Sequence, residues 1–167
     1  MMDFEGRIAA EMPALRRYAR ALLRDRERAE DLVQECLVRA LSRRHLFIWG
    51  GSLRGWLLRI MHNINVNNRR NEMRHSVIRM TDAAATGMPA DQISHVELAE
   101  TLAAFDKLSS EHREVLSLVV VEGLTYREAA RVLGVPAGTI MSRMARAREQ
   151  LRELVASPSA THLRRVK

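Results

Sequence analysis

The stretch TYREAARVLGVPAGTIMSRMARAR, Thr125–Arg148, decides the fold. Thr125 followed three residues later by Glu128 has the pattern of a capping box, in which two side chains close free backbone N–H groups. A helix is therefore predicted from Tyr126 to Leu133. Gly134 suits the left-handed position that ends a helix. Pro136 opens a further helix, because proline is tolerated in a first turn. Ala129 and Ala130 are small enough for that second helix to cross closely, and Val135 and Ile140 point inward to lock the pair. The second helix carries four arginines between Arg143 and Arg152.

Two short helices across a tight glycine-containing turn, the second rich in arginine, form a helix-turn-helix pattern. Its outward positions are Thr139, Ser142, Arg143, Arg146 and Arg148. Arginine suits guanine edges and phosphates, and serine and threonine suit either. The plain alternative is a helical hairpin with a solvated basic face. Ile140, Met144, Ala147, Leu151 and Leu154 supply the inner face, out to about Val155. Upstream, a helix over Val96–Leu108 precedes another over Glu111–Val121, capped by Ser109 or Ser110.

A second unit lies further towards the N-terminus. Ile8, Leu15, Ala19, Leu22 and Leu23 form a helical stripe. Asp25 can cap the next helix, whose apolar positions are Leu32, Val33, Cys36, Leu37, Ala40 and Leu41. After the loop HLFIWGGS a third helix runs from about Leu53 to Arg70. It is apolar at Trp56, Leu57, Ile60, Met61 and Ile64 and polar at Arg59, Asn63, Asn67 and Arg70. Between the units, Thr81–Ser94 (TDAAATGMPADQIS) is poor in large apolar residues and reads as a linker. The expected fold class is all-α: two small helical domains joined by a flexible linker, the C-terminal one a helix-turn-helix. The expected divisions are an N-terminal domain over 1–78, a linker over 79–95, the helix-turn-helix domain over 96–156 and a basic tail over 157–167.

The chain has 167 residues, 47% hydrophobic and 28% charged with 4% aromatic, which favours helices over a β-sandwich. Its net charge is +7, and of 27 cations only Lys107 and Lys167 are lysine. That arginine excess points to a polyanion partner and equally fits a GC-rich genome. The charge is uneven: +7 over residues 1–80, −4 over 81–110 and +1 over 111–156. One cysteine, Cys36, excludes an internal disulfide and a cysteine-based zinc site, which fits a reducing cytosol. No apolar run reaches the roughly 18 residues of a membrane span, and no signal core leads the chain. A cytoplasmic location is expected. The six histidines lack zinc spacing, and WGGSLRG is neither a nucleophile elbow nor a phosphate-binding loop. Catalysis by this chain, a metal and a cofactor are not expected.

Residues 108–154, LSSEHREVLSLVVVEGLTYREAARVLGVPAGTIMSRMARAREQLREL, closely resemble the C-terminal DNA-binding region of bacterial sigma factors of the extracytoplasmic-function (ECF) group. DLVQECLVRAL and LRGWLLRIMHN, within residues 15–70, resemble that group's N-terminal region. Within the group, the N-terminal half is most similar to the general-stress sigma factors of α-proteobacteria. The resemblance implies a sigma factor that binds core RNA polymerase and directs initiation through the −10 and −35 promoter elements.

Carried over residue by residue, Asp31, Leu32, Gln34 and Glu35 match the stretch that grips the polymerase clamp helices. Asp31, Gln34 and Glu35 would form an acidic patch beside Leu32. The plain alternative pairs these carboxylates with Arg28 or Arg39. Phe47, Trp49, Arg59, Asn63, Asn67 and Arg70 match the −10 recognition and melting elements: aromatics to hold an unstacked base, asparagines for base edges, arginines for phosphates. Many relatives carry Asp at the position of Asn67. Trp49 is open to two roles, a base wedge or a plug over the helices. Thr139, Ser142, Arg143, Arg146 and Arg148 belong to the −35 reader, with Met141 where relatives often have a cation. Promoter DNA, core polymerase and an anti-sigma factor are the implied partners. A sigma-like decoy would degrade the recognition helix, which is intact here; a free-standing regulator would leave residues 15–70 unexplained.

Overall fold

The computed structural model describes residues 3–48, 51–76 and 103–156, and every regular element among them is helical. The linker, the start of the helix expected at Val96, Trp49 and the basic tail lie outside the described residues. The first unit is built from α1 (Phe4–Leu22), α2 (Arg26–Ser42) and α3 (Leu53–Ser76), with a 3₁₀ turn at Arg44–Leu46. Asp3 and Asp25 cap α1 and α2, accepting the N–H groups of Gly6 and Arg28. A carboxylate there both fills an orphan donor and faces the positive end of the helix dipole.

The three helices close on Leu15, Tyr18, Val33, Cys36, Leu57, Met61 and Ile64, all fully buried. The Cys36 thiol donates to the carbonyl oxygen of Leu57, and burial pushes its pKa up to about 12. It is a small core hydrophobe. Leu41 departs from the expected core: it is 41% exposed, on the side of α2 away from the fully buried Ala40 and Cys36. α3 extends six residues beyond the expected Arg70, to Ser76.

The second unit comprises the helical residues 103–107, α4 (Ser110–Leu116), a π-helical turn at Ser117–Val121, α5 (Tyr126–Leu133) and α6 (Ala137–Ala156). Ser109, not Ser110, caps α4 by accepting the N–H of His112. The π turn widens the chain so that the Glu122 N–H reaches the Ser117 carbonyl at 2.9 Å. Gly123 then takes φ +69°, and the Glu122 side chain beside it is buried.

Both halves of the predicted capping box are formed at α5: Thr125 Oγ1 accepts the Glu128 N–H and the Glu128 carboxylate accepts the Thr125 N–H at 2.9 Å. Gly134 ends α5 in the left-handed conformation, φ +66°. The Thr125 hydroxyl and N–H hold Glu128 below the usual carboxylate range. A group whose folded pKa is depressed stabilises the fold above its unfolded pKa and loses that contribution as the pH falls through the folded value. Thr125→Ala is therefore expected to cost about 1 kcal/mol at neutral pH. The gap to wild type should narrow in urea titrations run at a pH below the carboxylate range; an unchanged gap would show that Glu128 contributes nothing to the cap.

The two units pack against each other, α1 and α3 of the first against α4, the π turn and α5 of the second. Arg113 crosses the seam. Its guanidinium donates to the carbonyls of Ala21, Asp106 and Leu108, and burial lowers its pKa.

Candidate nucleic-acid interface

α6 is anchored by Ile140, Met144 and Ala147, each essentially buried, against α4 and α5. That burial fixes the rotation of the helix. Thr139, Ser142, Arg143 and Arg146, spaced three, one and three residues apart, are left along the outer side. Ser142 and Arg146 are exposed; Thr139 and Arg143 are half-buried. Arg143 Nη2 lies 3.2 Å from Glu111 at the start of α4, and His112 Nδ1 lies 2.8 Å from Gln150 Oε1. The first turn of α4 thus ties α6 down at two points. Arg148 departs from the expected face. It stands nine residues, about two and a half turns, beyond Thr139 and so points to the opposite side. There it borders a shallow apolar groove with Leu151 and Val155.

On α3 the positions Arg59, Asn63, Asn67 and Arg70 are all exposed and fall on a single stripe, with spacings of four, four and three. The opposite side carries Leu57, Met61 and Ile64 into the core. A row of two amides between arginines can hydrogen-bond base edges and hold phosphates together.

Two expected contact residues are turned inward. Phe47 is 5% exposed and closes an aromatic cluster with Trp56 at 5.4 Å and Phe4 at 5.8 Å, with the Arg7 guanidinium 5.6 Å from its ring centre. It shapes the loop from within and offers no free face for a base. Its neighbour Ile48 is 81% exposed instead. Leu32 is 3% exposed, a core residue beneath α2. Asp31 and Gln34 are exposed above it, and Glu35 is half-buried with its carboxylate 2.6 Å from Arg39 Nη2. The pairing weighed as the plain alternative therefore exists for Glu35. Arg28 is taken up by Glu72 on α3.

Sequence reasoning missed Val38 and Leu41, 66% and 41% exposed, which continue the Asp31–Gln34 row along α2. Apolar letters inside an amphipathic helix read as core, so only a measure of what covers them reveals an apolar docking edge. Among the described residues there is no helix long and apolar enough to cross a membrane and no cluster that could hold a metal ion.

Residues 8–62 match the family model described as the Sigma2 domain of PhyR, and residues 98–151 match that of sigma-70 region 4. The ECF RNA polymerase sigma factor EcfG of Rhodopseudomonas palustris is 39% identical over 150 residues, spanning 89% of this chain and 82% of that protein. The chain belongs to the ECF sigma factors. It directs promoter-specific transcription initiation by RNA polymerase. The sigma factor RpoE of Bartonella quintana, solved in complex with the anti-sigma factor NepR, superposes with a TM-score of 0.84 at 31% identity, covering 95% of this sigma factor and all of that chain. CnrH, solved with the cytosolic domain of CnrY, gives a TM-score of 0.66 at 29% identity over 93% of this sigma factor and 89% of CnrH.

Proposed function

We propose that the sigma factor divides its work among three helices. α6 reads the −35 element through Thr139, Ser142, Arg143 and Arg146. The α3 stripe Arg59, Asn63, Asn67 and Arg70 holds the opened −10 strand, with Trp49 as the aromatic that takes an unstacked base. The α2 row of Asp31, Gln34 and Glu35, continued by Val38 and Leu41, docks on the clamp helices of core polymerase, while Leu32 supports that row from the core. The observation that carries this assignment is the outer face of α6: polar and arginine side chains presented by a helix whose rotation is fixed by Ile140, Met144 and Ala147.

The divisions at 1–78, 79–95, 96–156 and 157–167 follow the same allocation, the linker joining the −10 reader to the −35 reader. The factor confers specificity on polymerase and has no catalysis of its own, and it works in the cytoplasm. An anti-sigma factor is a further partner, as NepR is of RpoE and the cytosolic domain of CnrY is of CnrH.

Run-off transcription with purified core polymerase on a promoter library tests the assignment. Initiation is expected from templates sharing both elements. Alanine at Asn63 and Asn67 should lose open-complex formation while leaving binding to the closed promoter in place, because their partners are bases exposed only after strand separation. Loss of closed-promoter binding in that variant would remove them from −10 capture.

A further inference from the structure

Near its start, α6 exposes one large apolar side chain. Met141 is 58% exposed, although it directly follows the fully buried Ile140. Its neighbours on the helix surface are Gly138, three residues earlier, and Ala145, four residues later, both exposed. Neither has a side chain long enough to cover it. A Cβ at Gly138 would meet nothing within 4 Å, so packing inside the protein does not call for glycine there. The Met141 thioether therefore stands clear of the helix between two low shoulders.

The polar groups around it are arranged unevenly. Ser142 Oγ donates to the Thr139 carbonyl at 3.0 Å, so its hydrogen is used within the helix. Arg143 and Arg146 line one edge of the outer side, with Arg143 paired to Glu111. Met141 lies along the other edge, because two residues carry a helix about 200° round its axis. One edge is thus cationic and the other apolar. A base edge offers different partners to each: guanine presents two acceptors in the major groove, and thymine alone presents a methyl group.

We infer that Met141 is a specificity residue of the −35 reader, selecting thymine by packing its Sγ and Cε against the C5-methyl group. A recognition helix enters the major groove by its N-terminal end. Met141, in the second turn of α6, is within the groove; Arg148, on nearly the same edge two turns later, is beyond it. Methionine is unbranched and polarisable, so it adapts to an apolar target and fills the space that Gly138 and Ala145 leave. Contact with the methyl group removes apolar surface of both partners from water, whereas the amino group of cytosine at that position would lose its water to a thioether that is a poor acceptor. The inference rests on α6 as the −35 reader and adds a base preference that the two arginines do not supply.

Deleting the methyl group from the DNA tests this on holoenzyme carrying the full chain. In a promoter selected from the run-off library, each thymine of the −35 element, on either strand, is replaced in turn by uracil, which pairs identically and lacks only the methyl. Wild type should lose about fourfold in affinity at one of these positions, the worth of one buried methyl-sized group. Met141→Ala should bind the thymine promoter weaker by a similar factor and bind uracil and thymine equally. Met141→Leu should restore the distinction, and an exposed side chain leaves the core intact in both variants. The role of Met141 would be overturned by a −35 element without thymine on either strand, by a wild type indifferent to uracil at every thymine, or by a Met141→Ala holoenzyme that still tells the two bases apart. In each of those cases discrimination between the −35 element and a scrambled one would leave α6 as its reader. Loss of that discrimination in wild type would overturn the −35 reading and the role of Met141 together.

Discussion

Replacing Arg143 and Arg146 together by alanine is expected to lower holoenzyme affinity for a −35-containing promoter by about a hundredfold or more. Each arginine that reads a base edge is worth about 1–3 kcal/mol. The two stand one turn apart on the exposed side of α6, with Met144 and Ala147 buried beneath. Arg143 is also held by Glu111, so its guanidinium is partly ordered before DNA arrives, which reduces the entropy cost of binding. Filter binding or anisotropy over a salt series distinguishes base reading from charge. A loss of discrimination between promoter and mutant −35 sequences marks base contact, and a flatter salt dependence marks phosphate contact. Unchanged affinity at every salt concentration would remove both residues from the −35 face. Arg148→Ala, on the other side of the helix, is expected to leave discrimination intact.

Ile140→Ala carries the largest expected effect on stability. Ile140 is fully buried where α6 crosses the preceding helices. Truncation loses the transfer energy of the removed methylenes and leaves a cavity that the crossing cannot collapse, a cost of about 2–5 kcal/mol. Domain stabilities are only about 5–15 kcal/mol, so the second unit should unfold at a much lower urea concentration. The seam between the units should then loosen as well, because Glu114 and Glu122 are positioned by α4 and the π turn. Urea unfolding followed by circular dichroism measures this directly. A midpoint within experimental error of wild type would mean that Ile140 does not lock the helix pair.

Most of the architecture was legible in the sequence because helices are built from contacts a few residues apart. Thr125 and Glu128 specify a helix start by themselves, and Gly134 specifies its end, since the groups that satisfy them lie within the same turn. The inner faces of α3 and α6 followed from spacing alone: Leu57, Met61 and Ile64 on one, Ile140, Met144 and Ala147 on the other. Arg59, Asn63, Asn67 and Arg70 were therefore outward by subtraction. The candidate site was read less evenly. Phe47 looked like a loop aromatic free to stack, yet Phe4, distant in sequence, and Trp56 of the next helix enclose it. Leu41 fitted the apolar stripe of α2, yet it is 41% exposed.

By itself the sequence determined two helical units, their caps and turns, an arginine-bearing recognition helix and a resemblance specific enough to name a family. Those properties depend on local backbone hydrogen bonds and on a 3.6-residue period. Only the tertiary structure decided that two acids of the second unit face donors of the first. Glu122 and Arg17 are 105 residues apart, as are Glu114 and Tyr18 by 96. No periodicity couples positions so distant; a buried carboxylate takes its partner from whatever the packed helices bring within hydrogen-bond reach.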